Sequence, residues 1–269
     1  MSKKRAIFIT GGGSGIGQAI AQRYAREGWF VGLGDIAMSG MTETASLLPQ
    51  GMSSVHRLDV REPGQWREEL ANFIEQSGGR LDVLANNAGV GHGGEITELS
   101  EEQIDQLVDV NLKGVIHGAR AAHPWLLATG PGSCLINTAS ASALYGIGGM
   151  SIYSATKFAV RALTEALDTE WQDDGIKVAS LIPGFIDTPL LQQPANQHSN
   201  VAKRETVIAA GMPFVPLEQV AEAAWQAHRD RKIHHLIGKT ARQMALAARF
   251  APGYLRSRSR KLMKVRMGG

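Results

Sequence analysis

A chain of 269 residues is long enough for one α/β domain with a large core and short for two independent domains. Its single cysteine, Cys134, excludes a disulfide framework, and no stretch is long and apolar enough for a signal peptide or a membrane span, so we expect a soluble, cytoplasmic protein. The net charge of +3 hides a basic end: residues 231–269 contain eleven Lys and Arg and no acid, which leaves a net charge of −8 in residues 1–230.

Short apolar runs alternate with amphipathic stretches, a pattern typical of a parallel sheet covered by helices. We therefore predict a single α/β domain at 1–238 with a doubly wound, Rossmann-type sheet of about seven strands. The strands are predicted at about 5–10, 29–35, 54–59, 81–86, 133–139, 176–182 and 232–238. Helices are predicted at about 15–27, 41–48, 63–76, 100–128, 151–172 and 217–229.

The first strand ends in a glycine-rich turn, Thr10-Gly11-Gly12-Gly13-Ser14-Gly15-Ile16-Gly17, that runs directly into a helix. Glycines let the backbone approach a pyrophosphate, and the helix N-terminus supplies N–H donors and a positive dipole. No Gly-Lys-Ser/Thr follows, so a nucleotide triphosphatase loop is disfavoured. We predict a dinucleotide site; the alternative is a glycine-rich turn without a ligand.

Asp35 ends the second strand, where a carboxylate can accept hydrogen bonds from the hydroxyls of an adenosine ribose. The same carboxylate would repel a 2′-phosphate, and Ser14 offers no compensating charge. NAD is therefore favoured over NADP, although the basic residues Lys3, Lys4 and Arg5 keep NADP open. The alternative for Asp35 is a helix cap.

Tyr153 and Lys157 lie four residues apart and share one face of the predicted helix at 151–172. A positive charge ~4 Å away contributes about 4 kcal/mol, enough to lower a tyrosine pKa from ~10 to near neutrality. Ser140, thirteen residues upstream of Tyr153 at the end of the fifth strand, favours a proton-transfer site. The alternative is a surface tyrosine lying along a lysine stem.

The sixth strand is followed by a long connection at about 184–216, rich in Pro, Gln, Asn and Gly. Loops of this length in compact domains are usually functional or mobile. We interpret it as a substrate lid, with disorder as the alternative. Its apolar residues favour a hydrophobic alcohol or ketone: Leu190, Leu191, Val201, Ile208, Met212 and Phe214.

The order and spacing of these motifs, with Asn86-Asn87-Ala88-Gly89, Asn111 and Pro183-Gly184, resemble the classical short-chain dehydrogenase/reductase family over about residues 5–238. The resemblance implies an oxidoreductase that transfers a hydride between a nicotinamide cofactor and an alcohol or ketone. It implies that Tyr153 is the general acid and base and that Ser140 binds the substrate oxygen. Lys157 would lower the pKa of Tyr153 and bind the nicotinamide ribose, and Asn111 would anchor a water.

The resemblance also implies cofactor contacts. Asp59 and Val60 would meet the adenine, and Ile186 and Thr188 the carboxamide. The full set is Gly11, Ser14, Gly15, Ile16, Gly17, Asp35, Asp59, Val60, Asn87, Ala88, Gly89, Tyr153, Lys157, Pro183, Gly184, Ile186 and Thr188.

Two other functions remain open. An extended-type epimerase or dehydratase shares the Tyr and Lys but normally needs a larger C-terminal domain, and a regulatory protein that senses NAD without catalysis has no need of a proton donor. A metal is not expected, because the histidines form no ligand set. In the family, helices resembling 100–128 and 151–172 pair between subunits, so we expect a homodimer or homotetramer.

The basic C-terminal extension at 239–269 lies beyond the resemblance. Met244, Leu246, Ala247 and Phe250 are expected to form one apolar side of a helix. We favour docking of this helix on the acidic body of a partner subunit. The alternative is contact with an anionic membrane surface. Nucleic acid is unlikely on sequence grounds, because no base-reading motif accompanies the charge.

Overall fold

Seven of the apolar runs pair into one parallel sheet in the computed structural model of the chain, which describes residues 4–194, 196 and 201–267. Its strands are β1 (Ala6–Thr10), β2 (Phe30–Asp35), β3 (Ser53–Arg57), β4 (Val83–Asn86), β5 (Cys134–Thr138), β6 (Lys177–Pro183) and β9 (His234–Ile237). Two short strands, β7 (Phe185–Ile186) and β8 (Phe214–Val215), pair with each other in a separate sheet. The order across the large sheet is β3-β2-β1-β4-β5-β6-β9. The prediction of a doubly wound, seven-stranded parallel sheet is confirmed.

Helices cover both faces of this sheet. In the described residues they are α1 (Gly15–Arg26), α2 (Met38–Ser46), α3 (Pro63–Gln76), α4 (Glu101–Val108), α5 (Gly114–Thr129), α6 (Ser151–Glu170), α7 (Pro189–Gln192), α8 (Lys203–Ala209), α9 (Leu217–Ala227), α10 (Gly238–Phe250) and α11 (Pro252–Met267). Local chemistry fixes several ends: Pro63 opens α3, and the Ser100 and Gln103 side chains form a reciprocal capping box at α4.

Alternate residues of the central strands enter separate cores on the two faces of the sheet. Ile7 and Ile9 of β1 pack on the face covered by α1 and α9, whereas Phe8 between them packs with Trp66 and Phe73 of α3 on the other face. Since both faces are covered, the central strands β1 and β4 are apolar along most of their length, and their polar residues, Thr10 and Asn86, lie at the carboxyl ends.

Two predicted segments have a different local structure. The predicted helix at 100–128 is interrupted by one π-helical turn, Asp109–Lys113, between α4 and α5. The predicted lid at 184–216 contains short elements, β7, α7, α8 and β8, where the sequence indicated irregular chain. Residues 195 and 197–200 of that segment lie outside the described part.

The basic extension folds back on its own subunit as α10 and α11. Leu255 is buried, and the Ser259 hydroxyl accepts the Gly148 N–H at 3.2 Å. On α10, Leu246 and Phe250 are 62 % and 73 % exposed, so they do not pack on their own subunit. Residues 268 and 269 and the side chains of 261, 262 and 264–267 lie outside the described part. None of the helices described is long and apolar enough to cross a bilayer.

Candidate active site

The predicted site residues gather at the edge of the sheet where the parallel strands end. They follow β1, β2, β3, β4, β5 and β6, and a helix begins shortly after most of these strands. The chain reverses its direction of winding between the neighbouring strands β1 and β4. In open α/β sheets a crevice forms at such a point and binds ligands.

The glycine-rich turn fits a phosphate group. Gly11 and Gly15 have φ angles of +66° and +52°, a region that side chains other than glycine rarely adopt. A Cβ atom on Gly17 would lie 2.1 Å from the carbonyl oxygen of Gly11, so a larger residue would displace the turn. Ser14 precedes α1 in extended conformation and its side chain makes no capping hydrogen bond. The first turn of α1 therefore offers donors suited to an anion.

The Asp35 carboxylate is held beside this turn by backbone donors. One oxygen accepts the Gly13 N–H at 3.1 Å, and the other accepts the Ala37 N–H at 3.0 Å, just before α2. Neither bond caps α2, whose N-cap residue is Ala37, and the position of Asp35 beside the glycines fits a ribose partner. Arg57 of β3 stands opposite Asp35 in the strand register, a neighbouring cation that the sequence reading missed.

Asp59 and Val60 have partners within the protein, and neither lines the cavity that contains Tyr153. The Asp59 carboxylate is bound by the Arg61 guanidinium, with a shortest contact of 2.6 Å, and this hydrogen bond lowers the pKa of Asp59. Val60 is buried against the second core, and its carbonyl accepts the Trp66 indole N–H at 3.0 Å. Their contact with an adenine stays a prediction.

A chain of hydrogen bonds joins the glycine-rich turn to Lys157. The Thr10 hydroxyl accepts the N–H groups of Asn87 and Ala88 at 3.0 and 3.1 Å. The Asn87 side chain accepts the Thr138 hydroxyl at 3.3 Å, and Lys157 Nζ donates to the Thr138 carbonyl at 2.9 Å. Thr138 was not singled out from the sequence, although a polar residue ending an apolar strand was the available signal.

The π-helical turn holds Asn111 fully buried beside the same lysine. Its amide oxygen accepts the Val90 N–H at 2.8 Å and its amide nitrogen donates to the Val90 carbonyl at 2.9 Å. A Cβ atom on Gly89 would lie 3.1 Å from Asn111 Oδ1 and 3.7 Å from Lys157 Nζ. Asn111, Gly89 and Lys157 are therefore adjacent.

Tyr153 and Ser140 meet through their side chains. The hydrogen bond with Ser140 lowers the pKa of Tyr153, but burial has the larger effect and raises it above the usual value of 10.0. Ser140 also accepts the Ser142 N–H at 3.2 Å, which fixes the orientation of its hydroxyl.

The expectation that Lys157 lowers the Tyr153 pKa does not hold in this structure. Lys157 Nζ lies 5.8 Å from the centre of the tyrosine ring and donates to a backbone carbonyl. Burial without a carboxylate partner lowers the pKa of Lys157 itself to about 8. Tyr153 and Lys157 lie close together because they share one face of α6, but desolvation has the largest effect on the pKa of each.

Ser140, Tyr153 and Lys157 open into a cavity of about 690 Å³. The other predicted site residues on its wall are Ile16, Asn87, Gly89, Pro183, Gly184, Ile186 and Thr188. Residues of α10 and α11 form part of the wall, including Met244, Ala247 and Leu255. Across the part of the chain that the structure describes, His, Cys, Asp and Glu form no group of three that could hold a metal ion.

Comparison with known proteins agrees with this geometry. The profile of the short chain dehydrogenase family matches residues 5–199. Meso-2,3-butanediol dehydrogenase from Serratia marcescens is 34 % identical over 227 residues, 84 % of this chain and 88 % of that protein. A short chain dehydrogenase/reductase from Burkholderia phymatum in complex with NAD has a TM-score of 0.83 at 27 % identity over 96 % of each chain. An alcohol dehydrogenase from the archaeon Thermococcus sibiricus, complexed with 5-hydroxy-NADP, has a TM-score of 0.72 at 28 % identity over 86 % of this chain and 95 % of that one.

Proposed function

Since the chain belongs to the short-chain dehydrogenase family and is an oxidoreductase of alcohols and ketones, we propose that Tyr153, Ser140 and Lys157 carry its reaction and that NAD is its cofactor. The observation that carries the proposal is that Ser140, Tyr153 and Lys157 line one cavity, with Lys157 buried and its Nζ 5.8 Å from the centre of the Tyr153 ring. The bound nicotinamide supplies the hydride acceptor or donor.

Tyr153, Ser140 and Lys157 have different roles in the proposed reaction. The raised pKa keeps the Tyr153 hydroxyl protonated at neutral pH, so it can donate its proton to a ketone oxygen and take one from an alcohol in the reverse direction. Ser140, held by the Ser142 N–H, donates a second hydrogen bond to the same oxygen as charge develops there. Lys157 binds the nicotinamide ribose, and Asn111 anchors a water of the proton relay.

The residues at the strand ends fit the rest of a dinucleotide. The turn containing Gly11, Ser14, Gly15, Ile16 and Gly17 holds the pyrophosphate at the start of α1. Asp35 accepts the adenosine ribose hydroxyls and selects NAD, because its carboxylate disfavours a 2′-phosphate. The remaining contacts are Asp59, Val60, Asn87, Ala88, Gly89, Pro183, Gly184, Ile186 and Thr188.

Replacing Tyr153 tests the reaction. Tyr153→Phe removes the exchangeable proton and keeps the ring, so turnover of ketones with NADH should fall by roughly 10²- to 10⁴-fold while NADH affinity changes little. NADH binding is followed by fluorescence and turnover by absorbance. Tyr145→Phe removes a hydroxyl from the same cavity and should lose far less activity. Wild-type turnover in Tyr153→Phe would refute the assignment.

A panel of secondary alcohols and ketones with NAD and NADP identifies the substrate group. The wild-type protein should turn over members of this panel. Tight NADH binding without turnover of any of them would instead favour a regulatory protein that senses NAD.

Assembly and location complete the proposal. A homodimer or homotetramer through α4, α5 and α6 is supported by Phe158, which leaves 40 % of its surface exposed on α6. The buried thiol Cys134 is compatible with a reducing cytoplasm. We propose a catalytic domain at 1–238, which includes a substrate lid at about 184–216, and a basic C-terminal extension at 239–269. Contact of that extension with a membrane surface is not favoured.

A further inference from the structure

The walls of the cavity carry positive charge without any acidic residue. Its described lining includes Lys157, Lys203, Lys239 and Arg258 and no Asp or Glu. Lys157 has a place beside Tyr153, but the proposed reaction leaves the other three cations without a role. Since clefts focus the field of their charges, this cavity should concentrate anions.

Lys203, at the start of α8, is the least exposed of these three side chains. Its ammonium donates to the Gly91 carbonyl at 2.7 Å and to the Gln193 side chain at 3.1 Å, and both acceptors are neutral. An ammonium has three N–H donors, so these contacts leave one donor without a partner among the residues that the structure describes. Burial lowers the pKa of Lys203 to about 8, and an anion bound beside the ammonium would reverse that effect.

Arg204, the next residue in the chain, has a carboxylate partner, unlike Lys203 in the part of the chain described. Arg204 donates to the Asp187 carboxylate at 2.8 Å on the exposed side of α8, where the two charges neutralise each other. Lys203, on the cavity side, has no such carboxylate among its described contacts. The two adjacent cations therefore differ in what they can bind.

Arg258 brings a further cation to the cavity from α11. Its guanidinium donates to the Tyr254 hydroxyl at 2.9 Å and to Met212 Sδ at 3.1 Å, again neutral partners. Met212 follows α8, so the extension and the segment that carries Lys203 meet at the same wall. The same cavity also has apolar lining residues: Ile147, Met150, Leu190, Leu191 and Leu255.

We propose that the substrate is an amphipathic oxo or hydroxy acid whose carboxylate is bound by Lys203, with Arg258 and Lys239 adding positive potential at the cavity. The inference rests on the proposed function, because it gives the substrate class of the same site. The apolar wall takes the hydrocarbon body, and the alcohol or ketone carbon reaches Tyr153. The C-terminal extension is then part of the substrate site.

Binding of an unreactive pair of ligands tests this without turnover. Octanoate and octanamide have nearly the same shape, and only octanoate is charged. By calorimetry on the full-length protein with and without NADH, octanoate should bind roughly tenfold or more tightly than octanamide. Lys203→Gln should remove most of that difference, Arg258→Gln a smaller part, and Arg204→Gln, the matched loss of a paired cation from the same helix, almost none.

Turnover gives a second, separable measurement. Methyl-ketone acids of increasing chain length are compared with their primary amides in the wild-type protein and in Lys203→Gln. We expect KM for the acids to rise in the variant while the amides are unaffected. Reduction of amides and acids with equal efficiency would overturn the inference and leave the proposed function intact. A comparable loss of NADH affinity in Lys203→Gln would also overturn it, because the cation would then serve the cofactor.

Discussion

The buried ammonium of Lys157 should lower the stability of the cofactor-free protein. Lys157 is 4 % exposed, and burial lowers its pKa from 10.5 to about 8. A gap of about 2.5 pH units corresponds to about 3 kcal/mol at 1.36 kcal/mol per unit. Because the folded pKa lies below the unfolded one, the unfolded chain binds more protons between pH 8 and 10.5, and stability should rise with pH across that window.

Lys157→Met isolates this effect because it keeps the length of the side chain and removes the charge. The variant also loses the hydrogen bond to the Thr138 carbonyl, at 2.9 Å, which costs about 1–3 kcal/mol at every pH. The informative quantity is therefore the difference in unfolding free energy between wild type and variant as a function of pH. Wild type should gain about 3 kcal/mol relative to the variant from pH 8 to 10.5.

Urea unfolding of both proteins at one fixed concentration, from pH 7 to pH 10.5, measures this difference. Lys232→Met, at an exposed position, corrects for the general effect of exchanging a lysine for a methionine. A difference that stays constant over the whole range would show that Lys157 is not desolvated as inferred. Lys157→Met should also lose turnover and bind NADH weakly, because the same ammonium serves both purposes.

Three further predictions concern the cofactor, the pH dependence of stability and the assembly. Asp35→Ala should narrow the preference in kcat/KM for NAD over NADP, since Arg57 on the neighbouring strand then faces the 2′-phosphate. Glu43→Ala, at an exposed position of α2, is the control. A preference of the wild type for NADP would contradict the assignment. Burial lowers the pKa of His228 from 6.5 to about 4. As pH falls from 6.5 to 4, the unfolding free energy of the wild type should therefore fall by at most about 3 kcal/mol relative to that of His228→Phe. Unfolding free energies from urea that change equally with pH in the two proteins would contradict this. Light scattering should give a homodimer or homotetramer that Phe158→Arg weakens, whereas a monomer at micromolar concentration would refute the oligomer.

The sheet was predictable because it follows from local pattern. Apolar runs such as β1 and β5 specify buried parallel strands, and parallel strands bring their carboxyl ends to one edge. The position of Asn111 beside Gly89 and Lys157 is seen only in the fold. The π-helical turn that holds Asn111 was not predictable, since one extra residue in a helical turn barely alters the apolar repeat over 100–128.

Electrostatic properties were less predictable than positions. The spacing of Tyr153 and Lys157 predicts a shared face, but it does not specify where the ammonium points. In the structure the ammonium donates to Thr138, and burial of the phenol raises the Tyr153 pKa instead of lowering it. Both outcomes depend on tertiary burial, which no local pattern contains.

The acid-free composition of the extension has a physical consequence at the cavity. An acidic residue at a cavity-lining position of α10 or α11, such as Met244 or Ala247, would place a negative charge on the wall and reduce its positive potential. Arg204 shows the result of pairing with an acid, because its charge is matched by Asp187. The sequence reading attributed the charge of 239–269 to a surface outside the subunit. The fold brings part of it to the substrate cavity, where the absence of acids preserves the potential that an anionic substrate requires.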